Sequence, residues 1–196
     1  MKKIKYVLAK FVIGLFGNVQ FFRSPFFCLL WGNTHYKVRG DEARVILNKL
    51  RMGDVLLCRF DRYVSGWLIP GFWTHVALYV GKNKVIHART KGVVEDDILT
   101  FLRTDYVAVL RFPVDKERRL KAVETARSFI GKEYDFVFDT VDDERLYCSE
   151  LVRRCYPDVG DMGEGVIPPD RMLDVGAKVI HDSREWREKV SEGGSS

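Results

Sequence analysis

Apolar and polar positions alternate along much of the chain, and the period of that alternation changes at definite points. Val55–Phe60 is a short apolar run behind the turn-forming Gly53-Asp54 and predicts a strand. Thr74–Val80 (THVALYV) alternates with period two, Gly81-Lys82-Asn83-Lys84 supplies a hairpin turn, and Val85–Arg89 (VIHAR) returns. Gly92–Glu95 continues as an edge strand, Ile98–Leu102 predicts one helical turn, and Tyr106–Phe112 (YVAVLRF) a further strand. Between Pro113 and Lys132 the period becomes helical. Leu120, Val123, Ala126 and Ile130 share one face, Glu117, Arg118, Lys121 and Glu124 the other, and Gly131 closes the helix. Asp41–Leu50 predicts a short helix with acids in its first turn and Lys49 in its last. Tyr147–Tyr156 (YCSELVRRCY) predicts a helix opening near Cys148, Pro168-Pro169-Asp170 starts a short one, and Lys178–His181 predicts a last strand. Val64–Trp73, with two Gly, a Pro and two Trp, reads as an apolar loop. This order predicts an α+β domain built on a small antiparallel sheet packed with helices.

A length of 196 residues allows one domain with an appendage, and 46% hydrophobic against 30% charged residues excludes global disorder. The net charge of +5 changes the picture because it is uneven. Residues 1–40 hold Lys2, Lys3, Lys5, Lys10, Arg23, Lys37 and Arg39 and no acid. These cations are threaded through Phe, Val, Leu, Ile and Trp, which fits an anionic membrane surface and not a nucleic-acid backbone. No small-residue cleavage site follows the run Tyr6–Phe16. Lys10, Asn18, Gln20, Arg23 and Pro25 interrupt the roughly 20 apolar residues that a spanning helix needs. The expectation is an uncleaved, interfacial or shallowly inserted segment at 1–40, a folded domain at 41–190 and a disordered tail at 191–196.

Cys28, Cys58, Cys148 and Cys155 form no CxxC pair and no metal-ligand spacing, so neither a structural metal nor a disulfide framework is expected. No cofactor is implied. Cys148 stands apart because it opens a helix, where the dipole and free N–H groups favour a thiolate, a lowered thiol pKa and a bound oxyanion. Cys155, near the end of the same helix, and Cys58 read as packing residues. His75 opens a strand, and His87 lies on its hairpin partner. A turn at Lys82-Asn83 puts His87 opposite Leu78, and a one-residue slip would change which face it occupies. A Cys nucleophile, a His base and an orienting group satisfy triad logic if they converge in space.

Three blocks in this order resemble a known family. THVALYVGKNKVIHA (Thr74–Ala88) with Gly92-Val93-Val94 is similar to the His hairpin of NlpC-like papain-fold cysteine hydrolases, and YCSELV (Tyr147–Val152) is similar to their nucleophile helix. Gly53-Asp54-Val55-Leu56, GKEYDFVF (Gly131–Phe138) and IPPDRML (Ile167–Leu173) add to the likeness. His before Cys matches the circularly permuted branch of the YiiX/YebB type, related to lecithin:retinol acyltransferase-like hydrolases. The resemblance spans roughly Gly53–Leu173 and implies Cys148 as nucleophile, His75 as base and His87 as orienting residue. An acid often takes the third role in that branch, so Glu95 competes with His87.

The implied substrates are amide bonds of cell-wall peptides or ester and amide acyl links in lipids. Tyr63, Trp67, Leu68, Ile69, Pro70, Phe72 and Trp73 precede His75, and an apolar rim there favours a lipid, with Trp67, Trp73 and Tyr134 as substrate-binding candidates. The expected protein is a membrane-associated thiol hydrolase or acyltransferase whose partners are a lipid or cell-envelope substrate and an anionic membrane. A peptidoglycan amidase with the same site, and a non-catalytic lipid-binding module, are the alternatives.

Overall fold

The computed structural model describes residues 6–12, 19–22, 28–31, 36–61, 63, 69–138, 144–163 and 165–193. Residues 6–12 form helix α1. Strands β1 (Val19–Phe22) and β2 (Cys28–Trp31) pair antiparallel, and helix α2 spans Gly40–Lys49.

The strands β3 (Val55–Arg59), β4 (His75–Gly81), β5 (Lys84–Arg89), β6 (Gly92–Asp97), β7 (Tyr106–Arg111) and β10 (Lys178–Asp182) make one sheet in the order β10-β7-β3-β4-β5-β6. Every neighbouring pair in it is antiparallel. Val55 to Cys58 are all fully buried, because β3 is central and both faces of the sheet are covered. On one face lie helices α4 (Lys116–Ser128) and α5 (Cys148–Cys155), whose Ala122, Val123, Ala126, Leu151 and Val152 pack with Leu57, Val76, Leu78, Ile86 and Leu110. On the other lie α2 and the single turn α3 (Ile98–Phe101), whose Ile46, Ile98 and Phe101 pack with Leu56, Ala77, Val85 and Val109. A parallel two-residue pair, β8 (Glu133–Tyr134) with β9 (Arg145–Leu146), leads into α5.

Several expectations need correction. Helix α4 begins only after Asp115, whose side chain caps the Arg118 N–H. Its buried face is Ala122, Val123 and Ala126, while Leu120 and Ile130 are exposed. Two alanines let the helix approach α5 closely and turn the larger side chains outward. The chain also ends in an unanticipated helix, α6 (Ser183–Gly193), started by the Asp182 carboxylate accepting the Arg184 N–H at 2.8 Å. That helix covers the first three residues of the span expected to be disordered; 194–196 lie outside the described residues.

The hairpin turn is at Lys82-Asn83, both with positive φ as a type I′ turn requires. A bulge between Tyr79 and Gly81 then shifts the ladder, so that Leu78 pairs with Ile86. His87 therefore lines up with Ala77 and not with Leu78. The slip carries His87 to the same face as His75.

Candidate active site

The site sits where β4 begins. Asp170, in the 3-10 turn Pro169–Leu173, accepts the N–H groups of Phe72 (3.0 Å) and Trp73 (2.8 Å) and fixes the approach to His75. Gly71 permits this contact: its φ is +101°, and a Cβ there would lie 2.4 Å from an Asp170 carboxylate oxygen. Trp73 is fully buried in the core, edge-on to Phe72 with ring centroids 4.9 Å apart, so it forms no exposed rim. Trp67 and Leu68 lie outside the described residues.

By strand alternation, His75 and His87 face α3, and both rings flank Phe101, with centroids 6.1 and 5.7 Å from it. Cys148 packs in the cluster on the opposite face. The sheet is open between these two faces. Among the described residues the β4–β5 ladder stops at Leu78–Ile86, and the next rung, Val76 opposite Ala88, is not made. The Val76 N–H instead interacts with the Cys148 sulfur. The sulfur thus reaches the strand one residue past His75, and a backbone N–H freed from the sheet points at it.

His75 Nε2 lies 3.0 Å from His87 Nδ1, and His87 Nε2 lies 3.1 Å from Asp96 Oδ2. Arg89 donates to the same oxygen at 2.7 Å. Glu95, the acid considered from the sequence, is exposed and pairs across the ladder with Ile86, on the other face of β6. The acid that meets His87 is Asp96. Strand parity holds the clue: Val94 is the ladder partner of His87, and Asp96, two residues on, shares its face.

Burial pushes the Cys148 thiol above its ordinary pKa, against the pull of the Ser149 hydroxyl and the N–H groups of Val76 and Ser149. This corrects the expectation of a lowered thiol pKa. The helix end acts as predicted, but enclosure outweighs it. Burial also holds His75 well below an ordinary imidazole, helped by His87 and Arg89. At rest the Cys148 thiol and the His75 imidazole are each held neutral. Cys155 is pushed up to about 12 by burial, and Cys58, fully enclosed, is raised further. Tyr134 is raised well above its ordinary value by burial and then by the charge that Cys148 would carry as a thiolate.

The crystal structure of the metalloprotein YiiX from Escherichia coli O157:H7 is similar, with a TM-score of 0.59 and 20% identity over 69% of this chain and 98% of that one, a likeness of fold. Among the described residues, no group of three or more His, Cys, Asp and Glu converges as a metal site. The uncharacterized protein YiiX of Escherichia coli strain K12 is 43% identical over 49 residues, a stretch that covers 25% of this chain and 24% of that relative. A family model described as permuted papain-like amidase enzyme, YaeF/YiiX, C92 family, matches residues 49–173. That stretch holds the His hairpin, the opened sheet and the cysteine helix, and on it the chain belongs to the permuted papain-like amidases of the C92 family, as a thiol hydrolase.

Proposed function

We propose that the protein is a membrane-associated hydrolase that cleaves an ester or amide acyl bond in a lipid through a Cys148–His75–His87 acyl-enzyme mechanism. The observation that carries the reading is the opening in the sheet, where the Cys148 sulfur meets the N–H of Val76, the residue that follows His75, whose ring pairs with His87. His75 takes the thiol proton as the sulfur attacks the carbonyl carbon. The Val76 N–H and the α5 N-terminal N–H groups then face the oxyanion. Collapse breaks the acyl bond, and the leaving alcohol or amine takes the proton from His75. Water, deprotonated by His75, releases the acid and regenerates the thiol.

The lipid assignment is supported by α1. Val7, Leu8, Phe11 and Val12 share one helical stripe and are exposed. The Tyr6 hydroxyl bonds the Glu133 carboxylate at 3.1 Å and the Tyr134 carbonyl at 3.3 Å, tying this apolar helix to the strand that carries Tyr134. Residues 1–40 carry seven cations and no acid, the complement of an anionic bilayer. Among the described residues, no helix is long and apolar enough to cross a membrane.

Intact mass after mixing with anionic phospholipid vesicles tests the reading. An acyl adduct on the native chain that is absent from Cys148→Ala is the expected result. Product from cell-wall fragments alone would favour a peptidoglycan amidase, and no adduct with either would favour a binding module. Leu8→Asp with Phe11→Asp is expected to weaken vesicle binding at least tenfold while sparing a soluble ester; unchanged binding refutes the role given to α1.

A further inference from the structure

We propose that Asp96 is a positioning residue: through His87 it fixes which nitrogen of His75 carries the proton, leaving His75 Nδ1 bare to receive the proton of Cys148. The inference rests on the Cys–His–His reading above and adds the residue that gives the chain of hydrogen bonds its direction.

The direction follows from counting protons. Arg89 can only donate, and it bonds the same Asp96 oxygen that faces His87 Nε2. Burial opposes ionisation of Asp96, but the bonds from His87 and Arg89 outweigh it and hold the carboxyl below its ordinary value. An ionised carboxylate only accepts, so His87 Nε2 carries a hydrogen and donates it across 3.1 Å. Burial lowers the His87 pKa to about 4, so the ring is neutral near pH 7 and holds no second proton. Its Nδ1 is therefore an acceptor. The contact of 3.0 Å from that atom to His75 Nε2 is a hydrogen bond only if His75 Nε2 is the donor. A neutral His75 with its proton on Nε2 has a bare Nδ1. The reverse chain would set the His87 Nε2 lone pair against the carboxylate and would protonate His75 at Nδ1, where it could accept nothing from a thiol.

The side chains also give the device its sensitivity. Without the carboxylate, Arg89 would remain as a cationic neighbour of His87, which favours a bare Nε2 there and reverses the hydrogen bond between His87 and His75. An asparagine would still present an oxygen, because Arg89 selects the amide oxygen over the amide nitrogen.

Side-chain nitrogen NMR of the full chain, labelled with ¹⁵N-histidine near pH 7, reads the tautomers directly. His75 and His87 are both expected as Nε2–H forms. In Asp96→Ala, His75 is expected to shift to Nδ1–H, and kcat for a soluble p-nitrophenyl ester is expected to fall about 100-fold or more with little change in KM. Asp96→Asn is expected to keep the native tautomers and to recover most of that loss. An Nδ1–H His75 in the native chain overturns the proposal. So do native tautomers in Asp96→Ala, or an Asn variant no better than Ala. If Asp96→Ala does not fold, the native spectrum and Asp96→Asn still decide. Turnover that survives Cys148→Ala would instead sink the nucleophile assignment, and the tautomer reading stands or falls separately.

Discussion

Replacing His87 should remove a specific part of the protein's acid sensitivity. The ring is 4% exposed, and burial holds its pKa at about 4 against an ordinary 6.5. Between these values the unfolded chain binds a proton at this site and the folded chain does not. Stability therefore rises with pH across the window, is fully present above pH 6.5, and is lost as pH falls toward 4. The full gap corresponds to about 3 kcal/mol, at about 1.4 kcal/mol per pH unit. Urea unfolding of the native chain and of His87→Gln, each at about pH 7 and about pH 4.5, isolates the effect, because other titrating groups are common to both. The loss of stability on acidification is expected to be about 2 kcal/mol smaller in the variant. Equal losses in the two proteins would mean that His87 is not held neutral by its surroundings, and the tautomer argument built on it would go too.

Cys148→Ala should abolish turnover and leave the unfolding midpoint nearly unchanged, measured by ester hydrolysis alongside denaturant titration. Because burial lowers His75 well below an ordinary imidazole, kcat/KM should show no inflection at pH 6.5 and should fall only at more acidic pH; half-maximal activity near 6.5 would contradict a buried neutral base. Asp54→Ala should destabilise by about 3–5 kcal/mol in urea titration. The change strips Arg111 of a fully buried carboxylate that its Nε and Nη2 donate to at 2.8 and 2.7 Å. Gly71→Ala should lower both stability and turnover, since the added methyl group would displace Asp170 from the Phe72 and Trp73 N–H groups; full activity would show that this anchor does not set His75.

Local pattern made the strands and the cysteine helix legible. Val55–Cys58 and Tyr106–Leu110 are apolar runs bounded by turn residues, and Cys148 begins the helix that its apolar spacing predicts. What stayed hidden depends on one extra residue or on distant contacts. The bulge at Gly81 reverses the parity of β5 relative to β4, and no hydrophobic pattern betrays it, because Val80, Val85 and Ile86 are all buried. Parity along β6 then decides between two adjacent acids, Glu95 and Asp96, which composition alone cannot separate. Trp73 looked like a rim because it follows an apolar loop. It packs instead in the core, with its N–H held by Asp170 from 97 residues away.

The thiol pKa shows the same division. A helix N-terminus is visible in sequence and favours a thiolate, but the enclosure that outweighs it is assembled from Val76 on one strand, Tyr134 on a two-residue pair and the core beneath α5. A buried neutral thiol and a buried neutral imidazole as the proposed reacting pair have a chemical consequence. Separating them into thiolate and imidazolium before substrate arrives would place two charges where burial disfavours both. In the proposed mechanism, proton transfer is thereby coupled to attack on the carbonyl, and the base must already carry its lone pair toward the sulfur when the substrate binds. In that mechanism the requirement falls on residues of the next two strands, His87 and Asp96, because the sulfur lies in the cluster on one face of the sheet and the imidazoles stand on the other, with the missing rung between Val76 and Ala88 as the opening between them.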